Sequence, residues 1–83
     1  MALSEDLIKK LAKSYPAGEL TDLKFRGNDL TIKADDAGHA ILLFIGRRQE
    51  DGHIRGERYA RRLVFDESGK PVKDHWELKG KST

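Results

Sequence analysis

The stretch His39–Phe65, HAILLFIGRRQEDGHIRGERYARRLVF, does most to limit what this chain can fold into. Six consecutive apolar residues, Ala40–Ile45, run into the polar segment Gln49–Glu50–Asp51–Gly52–His53. A second apolar-bearing run returns through Ile54, Tyr59, Leu63, Val64 and Phe65. That order predicts a β-hairpin, with Asp51–Gly52 as a two-residue turn because such turns need positive φ. Phe44 then faces Tyr59, and Leu43 faces Ala60. The first strand, over 39–49, is apolar on both faces and belongs in the middle of a sheet. Its partner, over 53–66, would span ~40 Å if fully extended, so it is expected to bend. Gly46 and Gly56 lie near each other across the hairpin and mark the expected bulge or coil.

The flanking segments fit the same plan. Residues 4–15 read as a helix, with Ser4 as N-cap and Glu5 and Asp6 in the first turn. Leu3, Leu7, Ile8, Leu11, Ala12 and Tyr15 recur at helical spacing, and Pro16 ends the run. Leu23 and Phe25, then Leu30, Ile32 and Ala34, alternate with polar residues, giving strands over 20–26 and 29–35 about a Gly27–Asn28 turn. Asp66–Glu67–Ser68–Gly69–Lys70 turns the chain into a last strand over 71–79. Pro71 opens that strand, as suits a sheet edge. The tail 80–83 is expected to fray. The predicted fold is α+β in a single domain of 83 residues. An N-terminal helix packs on a curled five-stranded antiparallel meander.

Register decides which side chains share a face. With the turns above, Leu42, Phe44, Tyr59, Leu63 and Phe65 lie on one face. A three-residue turn at Asp36 brings Leu23, Phe25, Leu30 and Ile32 to them, and a two-residue turn reverses that hairpin. This face seats the helix. Ile41, Leu43, Val64 and Trp76 then fall together on the other face. One short helix cannot cover both sides, so these four are the candidate interaction face, for a protein partner or for a second copy in a homodimer.

The net charge is only +2, yet 36% of residues are charged. Residues 39–65 hold six of the seven arginines against three acids, Glu50, Asp51 and Glu57. Arg47, Arg48, Arg55, Arg58 and Arg62 are therefore the candidate anion-binding set, since a guanidinium fork pairs with phosphate or carboxylate. The alternative is a solvated sheet face. Nucleic acid is a possible partner but not the favoured one, because a dedicated binder concentrates its cations in one stripe. There is no cysteine, which removes disulfides and thiol chemistry and fits a reducing, cytoplasmic setting. The start shows no secretory pattern, and the apolar runs fall far short of the ~20 residues of a membrane span.

No catalytic, cofactor or metal constellation emerges. Gly80–Lys81–Ser82–Thr83 imitates the end of a phosphate loop, but His75 stands where its first glycine is needed and no helix can follow. His39 and His53 sit at opposite ends of one strand, too far apart to ligate one zinc ion with His75. Arg61, His75 and Glu77, with Tyr59 and Glu57, form a cluster able to hold an anion or move a proton, though a cross-strand ion-pair ladder accounts for it more simply. The leading expectation is a small non-enzymatic interaction module. The alternatives are polyanion binding through the arginines and a ligand cup around Arg61, His75 and Glu77.

Overall fold

The computed structural model describes residues 3–82. Helix α1 (Glu5–Leu11) precedes strands β1 (Leu20–Phe25), β2 (Asn28–Ala34), β3 (Ala40–Arg48), β4 (Ile54–Phe65) and β5 (Pro71–Ser82). The strands form one antiparallel sheet in the order β1-β2-β3-β4-β5 that does not close into a barrel. This is the α+β meander that the turn spacing predicts. The long dimension of 44 Å accommodates the twelve-residue β4 and β5, so β4 needs no sharp bend to fit.

Ser4 caps α1 by accepting a hydrogen bond from the Leu7 N–H at 3.2 Å. Such a cap contributes about 1 kcal/mol. The helix stops at Leu11, short of the expected Tyr15, because Tyr15 is used elsewhere. Its N–H donates to the Gly38 carbonyl at 2.9 Å, and its hydroxyl donates to the Lys10 carbonyl at 2.6 Å. Gly38 is needed there: its φ is +85°, and a Cβ would lie 2.8 Å from the Tyr15 carbonyl oxygen. Leu7 and Leu11 of α1 pack on Leu30, Ile32, Ala40, Leu43 and Tyr59. Burying each of the two leucines contributes ~1.5–3 kcal/mol, more than the propensity of so short a helix can supply.

All four registers differ from expectation, each in a definable way. In the first hairpin the turn is Arg26–Gly27, not Gly27–Asn28, and Leu23 pairs with Leu30. Arg26 holds φ +49° while its guanidinium pairs with Asp6 and lies over the Phe25 ring. That shift is two residues, so the face is kept. Between β2 and β3 the loop has the three residues Asp36–Ala37–Gly38, and Asp35 N–H donates to the His39 carbonyl. Ile41 is then an extra, unpaired residue. Between β3 and β4 the loop is Glu50–Asp51–Gly52, one residue longer than expected, with Gln49 N–H bonded to the His53 carbonyl. Leu43 therefore pairs with Tyr59, and Phe44 with Arg58. Between β4 and β5 the three-residue loop is as expected, but Val72 is extra, and so is Lys79 further along.

The loops Asp35–His39 and Asp66–Lys70 are the same device. In each, the leading aspartate accepts two backbone N–H bonds at 2.9 Å: from Ala37 and His39 in the first, from Ser68 and Lys70 in the second. A glycine stands fourth in both, with φ +85° and +86°, and the extra residue follows two places after the loop.

Gly46 pairs with Gly56 where β3 and β4 coil. A Cβ on Gly46 would lie 2.8 Å from Gly56 Cα and closer still to the Arg55 carbonyl. The register does not slip there, so the expected feature is a coil, not a bulge. At the other end, β5 continues to Ser82 where fraying was expected from 80. Ser82 pairs with Gly56, and its hydroxyl donates to the Ile54 carbonyl at 2.8 Å. Thr83 lies outside the described residues. Gly56→Ala should destabilise the fold by about 3 kcal/mol, since the new methyl meets rigid backbone. Gly27→Ala, with positive φ but open space around it, should lose only about 1 kcal/mol. Urea unfolding of the two variants measures the difference.

Candidate functional site

The observed registers sort the sheet into two unlike faces. Toward α1 point Leu23, Phe25, Leu30, Ile32, Leu43, Ile45, Tyr59, Trp76 and Leu78. The four residues of the candidate interaction face do not share a side. Leu43 is fully buried in the core cluster, and Trp76 is half-buried against it. Ile41 is half-buried at its bulge. Only Val64, 44% exposed, lies on the face away from the helix.

That open face carries Leu42, Phe44, Ala60 and Val64 among charges. Its strand positions hold seven cations (Lys24, Lys33, Arg48, Arg58, Arg62, Lys73, Lys79) against three acids (Asp22, Asp29, Glu77). Seven against three leaves +4 on one face of a chain whose total is +2. Among the described residues Lys33, Arg58, Arg62 and Lys73 make no ion pair, while Glu77 is matched by His75 at 2.8 Å and Lys79 at 3.0 Å.

The anion-binding candidates are divided too. Arg58 and Arg62 lie on the open face, whereas Arg47 and Arg55 pair across the hairpin arm on the other side. Arg48 is fully engaged. Its guanidinium donates to the Leu30 carbonyl (3.0 Å), Thr31 Oγ1 (3.0 Å) and the Gly52 carbonyl (2.8 Å), and pairs with Asp22 at 3.2 Å. Its N–H reaches Asp29 at 2.8 Å. This clamp draws the hairpin arm toward β1 and forms a trough of about 490 Å³, floored by Phe44 and Ile54 and walled by Leu20 and Lys33.

The expected cup around Arg61, His75 and Glu77 is also split. Arg61, with its side chain 8% exposed, turns toward α1 and donates to both Asp74 oxygens at 2.7 and 2.8 Å, with the Trp76 ring centroid 5.8 Å away. His75 and Glu77 pair on the opposite face. Beside Arg61 a second groove of about 340 Å³ runs between α1 and β5, lined by Ile8, Ala12, Tyr59, Trp76 and Leu78. Phe44, Lys33, Lys73 and Asp74 were not singled out from the sequence for a site. The two aspartate-led loops signal the bulges that would have placed them. Among the described residues no three His, Asp or Glu side chains are grouped to hold a metal ion, and no helix is long and apolar enough to cross a membrane.

Compared with known proteins, the chain matches no family model, no curated protein and no solved structure.

The carboxylates give the fold an acid limit. Hydrogen bonds from Arg61 hold the Asp74 carboxyl below its usual range, and bonds from His75 and Lys79 lower Glu77 from 4.5 to about 2. Both folded values lie below the unfolded ones, so their contribution is complete above the unfolded pKa and disappears as pH falls through the folded pKa. Urea midpoints should therefore drop between about pH 5 and about pH 2. Asp74→Asn should shallow that slope and cost about 1 kcal/mol at neutral pH, less than for a sealed pair because water reaches this carboxylate.

Proposed function

We propose that this chain is a small binding module without chemistry of its own. It docks an acidic protein partner on the sheet face that α1 leaves open. The observation that carries the reading is the +4 charge of that face around half-exposed Phe44. Arg58 stands directly across from Phe44, Arg62 and Val64 follow along β4, and Lys73 lies opposite Val64. An apolar centre ringed by cations fits a surface with the inverse pattern, and complementary charge speeds and orients such an encounter.

The same charge argues against the homodimer expected from an apolar face. A two-fold axis through this face would set +4 against +4. The face also favours protein over nucleic acid, because Phe44 is its one Phe, Tyr or Trp side chain among the described residues, and its one imidazole, His75, is engaged with Glu77. Single-strand binders stack successive bases on several aromatics. A chain free of cysteine suits a reducing cytoplasmic setting for such a partner.

Hexaglutamate is a minimal probe. At low salt it should shift the backbone amide resonances of Phe44, Arg58, Arg62 and Lys73 and leave those of α1 in place. Binding should weaken as salt screens it. The exposed pair Arg58→Glu and Arg62→Glu should weaken it by more than about tenfold with the fold intact. Sedimentation should give a monomer. Absence of shifts, indifference to the double charge reversal, or tighter binding of an equally charged single-stranded oligonucleotide would overturn this reading.

A further inference from the structure

We propose that the partner segment recognised here is an extended strand that adds to the free edge of β5, with apolar and acidic side chains in alternation. This rests on the reading of the basic face as a site for an acidic protein.

The edge is available. β5 pairs with β4 alone, so its outward N–H and C=O groups have no strand partner. Between the extra residues Val72 and Lys79, the six residues Lys73–Leu78 run in unbroken register with Tyr59–Val64. That window is straight enough to template another strand, and the irregular residues on either side confine addition to it.

The two sides of this edge ask for different things. Toward α1 lies the groove of about 340 Å³, and its rims Ile8 and Leu78 remain 43% and 47% exposed. Its one buried cation, Arg61, is matched by Asp74, so no charge is left there to satisfy. On the opposite side Lys73 and Arg62 are unpaired, and Glu77 is matched by His75 and Lys79. Successive side chains of an added strand point to opposite faces. One set enters the groove and must be apolar. The other set meets Lys73 and Arg62 and is best acidic. Main-chain hydrogen bonds along β5 would supply affinity, and the groove and the cations would supply selectivity. A second copy of this chain does not fit, since its own β5 brings Lys73 and Lys79 to the same cations.

The test uses the whole ¹⁵N-labelled protein and peptides of one composition. The alternating peptide Val-Glu-Val-Glu-Val-Glu-Val is compared with its block isomer Val-Val-Val-Val-Glu-Glu-Glu. Two N-methylated forms of the alternating peptide block its odd or its even amides. The alternating peptide should bind at least about tenfold tighter than the block isomer and slow amide exchange within Lys73–Leu78. N-methylation in one phase should abolish binding, and in the other phase leave it. Ile8→Glu, at an exposed groove position, should weaken the alternating peptide by about tenfold and leave hexaglutamate binding unchanged. Equal binding of the block isomer, indifference to both N-methyl phases, or protection elsewhere would overturn strand addition while the acidic-partner reading stands. If hexaglutamate also fails to bind, both fall.

Discussion

At Gly46 and Gly56 two backbones approach so closely that no side chain fits between them. Much of the molecule's shape follows from that contact. With any Cβ there, β3 and β4 would have to separate, and the coil of the hairpin would relax. The coil carries the hairpin arm across to β1, where Arg48 closes it with bonds to Asp22, Thr31 and the Leu30 carbonyl. Ile54 is thereby 3% exposed although it sits on the face that α1 does not cover. The sheet thus has a helix over one side and part of its own hairpin over the other. The strip along β4 and β5 stays uncovered.

The division of the sheet also depends on single unpaired residues. Ile41 and Val72 each add one residue to a strand, and one residue is enough to exchange the two faces of everything beyond it. Those exchanges send Leu43 and Trp76 inward. They turn Phe44, Leu42 and Lys73 outward. The chain needs no second helical layer, because the apolar surplus inferred from sequence largely ends up beneath α1.

Element order and type were legible because alternation and turn residues are local signals. Every strand lies within a few residues of its expected place, and Ser4 caps the helix as its hydroxyl suggests. Faces were not legible, because they depend on counting loops and bulges to a single residue. The Asp36 loop takes the three-residue form, one of the two open to it, and the Glu67 loop has its expected length, but each is followed by an extra residue that reverses the faces. The repeated pattern of aspartate, two residues, then glycine was visible in both loops, but its link to a following bulge emerges only from comparing their geometry. The Gln49–His53 loop lacks the leading aspartate and has no bulge after it. The helix ends earlier than its apolar spacing suggests, because Tyr15 fits the helical stripe equally well whether it continues the helix or, as here, turns back to cap Lys10.

The short α1 has a kinetic meaning as well. Each strand pairs with its neighbours in sequence, so the sheet can assemble by successive local closures, whereas α1 must find Leu43 and Tyr59 from far along the chain. Seven residues held by two leucines, the Asp6–Arg26 pair and the Tyr15 tether bury less than the strand ladder does, so α1 is expected to open before the sheet. Partial opening at that end would bare the oily underside of the sheet well before global unfolding, making the helix, not the strands, the first point at which this protein becomes vulnerable to a protease.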